Sequence, residues 1–287
     1  VGAPERSMAE DLRKRFEDAR PSVVDYSFHG EVVGWRPGRR AEIAEAMADG
    51  IRRLYGNPSG AYAEGVAARA ALEEARARFA RGLDVPPCTV YFTSCGTEAN
   101  NIAIRDVMSV QVRKKKRDVI LISELEHPSV RETAQSLPGC KCVVAPSTAY
   151  GYVDEAEFYK LLRKYSDRIG MVSVTFAQNE IGTIQNVHKL VRMAREALPD
   201  SVPFHTDATQ ILAKYPIHPR QLGVDLLTGS AHKFHGPRGV GLLYARDGTL
   251  DPGATTMTGG GQERGCRSGT ENVPAIHAAS IAFWRMV

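Results

Sequence analysis

Short runs of apolar residues rich in β-formers recur along the chain at 90–93, 119–123, 142–145, 171–177, 203–208, 225–230 and 239–245. Between several of them, at 66–82, 155–165 and 186–198, apolar residues return with helical period instead. Continuous apolar runs are the mark of strands covered on both faces, and strands that alternate with helices build parallel sheets. The pattern therefore predicts an α/β fold, a mainly parallel, seven-stranded sheet with helices on both faces. Residues 1–22 are charged and weakly helical and read as an N-terminal arm, with 23–287 forming the sheet domain.

Composition narrows the classes of function. The 287 residues are 43% hydrophobic and 24% charged, which excludes disordered, collagen-like and coiled-coil chains. A formal net charge of +4 is too slight to imply a nucleic-acid partner. The basic run at 113–117 falls at a helix-to-strand junction and reads as a solvated surface patch, since no second basic cluster with aromatics accompanies it. Five cysteines with no CxxC argue against a disulfide framework and for a reducing compartment. No apolar run approaches the ~20 residues that cross a bilayer, and no secretory h-region opens the chain. The expectation is an intracellular protein, cytoplasmic or mitochondrial, with no membrane, nucleic-acid or metal partner.

In open α/β sheets ligands bind beyond the carboxyl ends of the strands, and the chemistry-bearing residues fall there five times. After 90–93 comes Ser94-Cys95-Gly96-Thr97-Glu98, a small-residue turn opening a helix, which reads either as an anion site or as a capping box of Ser94 and Thr97 with Glu98. After 119–123 comes Glu124-Leu125-Glu126-His127-Pro128-Ser129, in which His127 alone carries little weight. After 171–177 come Gln178, Asn179 and Glu180. Asp207 ends an apolar strand, a costly place for a carboxylate without a cation or donor beside it. Lys233 follows the strand at 225–230, flanked by Ser230, His232 and His235. A lysine drawn toward the interior becomes a nucleophile able to form a Schiff base. Lysine, acid, stacking ring and phosphate cradle together meet the needs of pyridoxal 5'-phosphate.

Eight blocks carry a closer likeness: VVDYSFHG, YGNPSGAYAEG, YFTSCGTEANNIAI, SELEHPSV, FAQNEIGTIQNV, FHTDATQILAKYPI, SAHKFHGPRGVGLLY and GGGQERGCRSGTENVPAI. In this order they resemble the signature blocks of the cysteine desulfurases and selenocysteine lyases, class V pyridoxal-phosphate enzymes of fold type I. The resemblance implies that Lys233 is the Schiff-base lysine and Asp207 the partner of the pyridine nitrogen. It makes His127 the histidine stacked on the ring and a proton carrier. Gln210 and Asn179 match residues on the phenolic-oxygen side, while Gly96 and Thr97 of the turn, with Ser230 and His232, match the phosphate site. Thr270 matches a threonine that reaches the phosphate of the partner subunit, which implies a homodimer.

The implied activity is removal of sulfur from L-cysteine, leaving alanine and an enzyme persulfide for a sulfur-acceptor protein, as in iron–sulfur cluster assembly. A selenocysteine lyase, an aminotransferase on the same scaffold, and a non-catalytic scaffold in sulfur trafficking are the rival readings. The resemblance places the nucleophilic cysteine, an arginine for the substrate carboxylate and a small C-terminal domain beyond Val287, so turnover by this chain is expected to be impaired. Cys95 and Cys266 are poor substitutes because neither sits on a mobile loop; Cys88, Cys140 and Cys142 read as structural. Ser27-Phe28-His29-Gly30 departs from the small residues usual there in the family.

Overall fold

The central apolar runs, 119–123, 169–173 and 226–230, become strands buried along their whole length, while the edge run at 141–145 stays partly exposed. The computed structural model describes residues 37–287, with side chains from residue 41 onward. The expected arm at 1–22 and the 23–30 segment lie outside the described residues. Two helices lead in, α1 (Pro37–Arg53) and α2 (Ala63–Leu83). The chain then alternates through β1 (Val90–Thr93), α3 (Gly96–Lys115), β2 (Val119–Ser123), α4 (Pro128–Gln135), β3 (Lys141–Ala145), α5 (Glu155–Lys164), β4 (Ile169–Ser173), α6 (Val187–Ala197) and β5 (Phe204–Asp207). It closes with α7 (Pro219–Leu222), β6 (Leu226–Ser230), β7 (Gly241–Ala245) and α8 (Val273–Trp284).

The seven strands form one sheet in the order β1-β7-β6-β5-β4-β2-β3. β7 runs antiparallel to both neighbours, and every other pairing is parallel. Two successive reversals restore direction, so the carboxyl end of β1 lies on the same edge as those of β2, β4, β5 and β6. After β2 the chain adds β3 on one side, then crosses back to add β4, β5 and β6 on the other. The order thus reverses at β2/β4, the kind of switch point where such sheets hold ligands.

Alternation along β2 divides the core. Val119 and Leu121 belong to one buried cluster, Ile120 and Ile122 to the other, so the sheet is covered on both faces. On the first face α2 and α8 bring Phe79 and Phe283 to a ring separation of 4.6 Å, with Phe92 and Phe234 edge-on to Phe79 at 5.8 and 6.2 Å.

One expectation changes in detail and another is filled in. The run expected at 171–177 keeps ladder geometry only to Ser173, although Val174 and Phe176 still donate to His205 and Asp207 carbonyls on β5. The cause lies on the other side, where Thr175 N–H donates to the carboxylate of Glu126 at 2.6 Å instead of to a strand. The basic run is exposed over 113–116, as a surface patch should be, and also finds partners. Arg113, Lys114 and Lys115 fill the last turn of α3, where the helix dipole favours cations. Lys114 pairs with Asp251 at 2.7 Å, and Arg117 donates to the carbonyls of Ser166 and Ile169.

Candidate active site

The carboxyl edge of the sheet opens into a cleft of about 280 Å³ at the switch point. Nine of the residues singled out from sequence line it: Gly96, Thr97, His127, Asn179, Asp207, Gln210, Ser230, His232 and Lys233. They come from the ends of five different strands. Thr270 does not line the cleft; it is exposed, three residues before α8.

The turn after β1 is built by close contact. A Cβ on Gly96 would stand 3.1 Å from Thr209 Oγ1 and 3.3 Å from Ser230 Cβ, so glycine lets α3 start against the ends of β5 and β6. The N-cap of α3 is Cys95, whose Sγ accepts from Glu98 N–H at 3.4 Å, in place of the expected Ser94 or Thr97. Glu98 in turn accepts from Ser94 N–H at 2.6 Å and from Arg267 at 2.7 Å. The Glu98 N–H is taken by Cys95, whereas the N–H groups of Gly96 and Thr97, which line the cleft, have no carbonyl ahead of them in the helix and could serve an anion.

At the centre Asp207 is buried, and both its oxygens are acceptors. Oδ2 takes a hydrogen from Asn100 Nδ2 at 2.8 Å, and Oδ1 takes the Thr209 N–H at 2.9 Å. Each carboxylate oxygen thus holds one donor. The carbonyl oxygen of the same Asn100 amide, Oδ1, accepts from Thr228 Oγ1 at 2.6 Å. Lys233 is half-buried on the single helical turn, Ala231–Phe234, that follows β6. Ser230 Oγ and His232 Nδ1 are 2.9 Å apart beside it.

Glu126 and His205 are two of the buried ionisable groups that went unread in the sequence. Glu126 is fully buried, its Oε1 accepting from Ser123 Oγ and Thr175 N–H at 2.6 Å each, while Oε2 has no partner. Burial, reinforced by the nearby charge of Asp207, pushes its carboxyl up to about 8 despite those donors. His205 is buried with Nδ1 2.8 Å from Ser173 Oγ, and burial pulls its imidazole down to about 4. The five cysteines are all free; Cys88 is exposed, Cys95 lines the cleft, and burial pushes the Cys140, Cys142 and Cys266 thiols up.

Fold and cleft place the chain in the class of α/β domains that hold a phosphate-bearing ligand at the carboxyl edge of the sheet. Comparison with known proteins gives the family. The aminotransferase class-V model matches residues 39–284, and the chain belongs to that family of pyridoxal-phosphate enzymes. It is 41% identical over 240 residues to a cysteine desulfurase IscS of Dictyoglomus turgidum, covering 83% of this chain and 58% of that protein. The IscS of Methanosarcina thermophila is 39% identical with 57% of its length covered. The chain thus spans under two thirds of these curated relatives. Among solved structures, a NifS-like protein superposes with a TM-score of 0.79 at 36% identity, over 86% of this chain and 68% of the other. SspA in complex with cysteine gives 0.75 at 29% identity, over 85% and 71%.

The residues present fit pyridoxal phosphate. Thr209 Oγ1 is a buried hydroxyl with no partner, standing where Gly96 leaves room against the helix N-terminus. A phosphate at this end of the cleft would meet hydroxyl and N–H donors, while the acceptor-only Asp207 suits a protonated ring nitrogen.

Proposed function

We propose that the protein of which this chain is part is a pyridoxal-phosphate-dependent cysteine desulfurase, taking sulfur from L-cysteine and leaving alanine. The observation that carries this reading is the convergence of Lys233, Asp207 and the α3 N-terminus on one cleft. The relatives named cysteine desulfurase support it, and so does the neighbour bound to cysteine.

When bound, the cofactor supplies an electron sink that makes the substrate's α-carbon acidic and activates the sulfur-bearing carbon beside it. The α3 N-terminus, Thr97, Ser230 and His232 would hold its phosphate, and Lys233 its aldehyde. Asp207 keeps a proton at the ring nitrogen; Asn100 and Thr209 fix the carboxylate for that task. His127, which lines the cleft, would shield the ring from water. Asn179 and Gln210 orient the phenolic oxygen and the substrate. The amine of Lys233, once free, is the base that moves the proton at the α-carbon. Thr270, exposed and away from its own chain's cleft, would reach the phosphate of a partner subunit in a homodimer. The persulfide-forming cysteine and the sulfur acceptor belong to the whole protein's chemistry.

Reconstitution of the full-length protein with pyridoxal phosphate tests the reading. The visible absorbance of the lysine-bound cofactor is expected in the wild type and lost in Lys233→Ala, with alanine formed from cysteine in the presence of a thiol. Faster turnover of selenocysteine would make the protein a lyase for that substrate, a keto acid product would make it an aminotransferase, and cofactor without turnover would make it a scaffold.

A further inference from the structure

His127 caps α4 with its own ring, and the donor to that ring is a backbone N–H. Ser129 N–H donates to His127 Nδ1 at 3.1 Å. An amide nitrogen can only donate, so this bond favours a ring whose Nδ1 accepts and whose hydrogen sits on Nε2, and the hydroxyl is needed to hold it there. The Ser129 hydroxyl reinforces this. Its Oγ lies 2.8 Å from Nδ1 and also 2.8 Å from Asn100 Nδ2. The Asn100 amide nitrogen is a donor, because its other hydrogen goes to Asp207 and its Oδ1 accepts from Thr228. Ser129 Oγ therefore accepts from Asn100 and passes its own hydrogen to Nδ1. Every link from Thr228 to the imidazole has one direction.

We infer that Ser129, held by Asn100, is a positioning residue that locks His127 as the Nε2–H tautomer and couples it to Asp207. The inference deepens the proposed function and rests on it for the role of His127. Of the nitrogens of this ring, only Nε2 then has a hydrogen to give to a group in the cleft, and Nδ1 is tied to the helix. One side-chain amide thus serves both groups proposed to touch the cofactor ring, the aspartate and the histidine.

The test uses ¹⁵N-histidine-labelled full-length protein, with His127→Gln identifying the signal. Long-range ¹H–¹⁵N spectra show which ring nitrogen bears hydrogen, with and without pyridoxal phosphate. Hydrogen on Nε2 is expected in the wild type in both states. Ser129→Ala keeps the backbone donor but removes the hydroxyl. It is expected to admit the second tautomer and to slow alanine formation roughly fivefold, the worth of one neutral hydrogen bond; Ser129→Thr restores both. Hydrogen on Nδ1 in the wild type, or a tautomer and rate unchanged in Ser129→Ala, overturns the inference. Failure of Lys233→Ala to abolish the cofactor's absorbance would instead overturn the proposed function, and the apo-protein spectra would still decide the tautomer.

Discussion

The guanidinium of Arg76 on α2 and the carboxylate of Glu263 are joined by two bonds of 2.8 Å across 187 positions of sequence. Both side chains are buried. Together they close the free edge of β1: Glu263 accepts from Phe92 N–H at 2.9 Å, and Arg76 donates to Val90 O at 2.8 Å. Glu263 and Arg264 are held at φ of +46° and +59°, a conformation that costs energy outside glycine. The same loop carries Arg267 to Glu98 at the start of α3.

Removing Glu263 takes the buried partner from the Arg76 guanidinium, leaving it the more exposed Glu73 carboxylate at 3.2 Å, and strips Phe92 N–H of its acceptor. Glu263→Ala is expected to cost about 3–5 kcal/mol of stability, and Glu263→Gln less, because it keeps an acceptor for Phe92. Chemical denaturation monitored by circular dichroism measures the difference.

Glu126 gives stability one slope with pH. Its folded value is raised to about 8 from 4.5, so the folded protein holds a proton that the unfolded chain has released between those values. Stability from this group is complete below 4.5 and falls as pH rises toward 8. Glu126→Gln removes the titration, so the variant should gain on the wild type between pH 5 and pH 8. Midpoints of denaturation across that range test it; a constant gap would refute it.

His205 has the opposite slope. With its imidazole lowered to about 4 from 6.5, the folded state binds fewer protons than the unfolded one in that window. Its contribution is full above 6.5 and is lost as pH falls toward 4. Proton NMR should find the His205 ring neutral at pH 5, where an exposed histidine is charged.

Gly96→Ala would press a methyl group between Thr209 Oγ1 and Ser230 Cβ. Overpacking of this kind costs about 1–3 kcal/mol. The larger expected effect is on pyridoxal-phosphate affinity, because the displaced elements form the anion end of the cleft. A cofactor titration followed by absorbance, run beside a denaturation curve, separates the two.

What the chain discloses in one dimension is what repeats locally. Strands such as Val119–Ser123 and Leu226–Ser230 are buried along their whole length, and so read as unbroken apolar runs. The strand-end rule then assembled candidates from five places, and nine line one cleft. α8 went unmarked because VPAIHAASIAFW has no polar stripe; eight of its residues are buried. Glu126 was hidden by its context, since Glu124, two residues earlier in the same turn, is exposed and merely holds Ser147. Asn100 and Ser129 stood inside legible motifs, but their work depends on bonds to residues up to 128 positions away. The Arg76–Glu263 clamp likewise has no periodicity to betray it.

The reversed strand β7 has a consequence for the order in which the molecule can be made. β1 pairs with β7 and with no other strand, and β7 ends at Ala245. While the polypeptide emerges from a ribosome, β1 therefore has no strand to pair with until some 150 residues after it have been synthesised, by the difference between 245 and 93. β2, β4, β5 and β6 each have a neighbouring strand earlier, so β1 is the last to find its place. The strand that opens into the anion end of the cleft is thus the first of the seven to be made and the last to be paired.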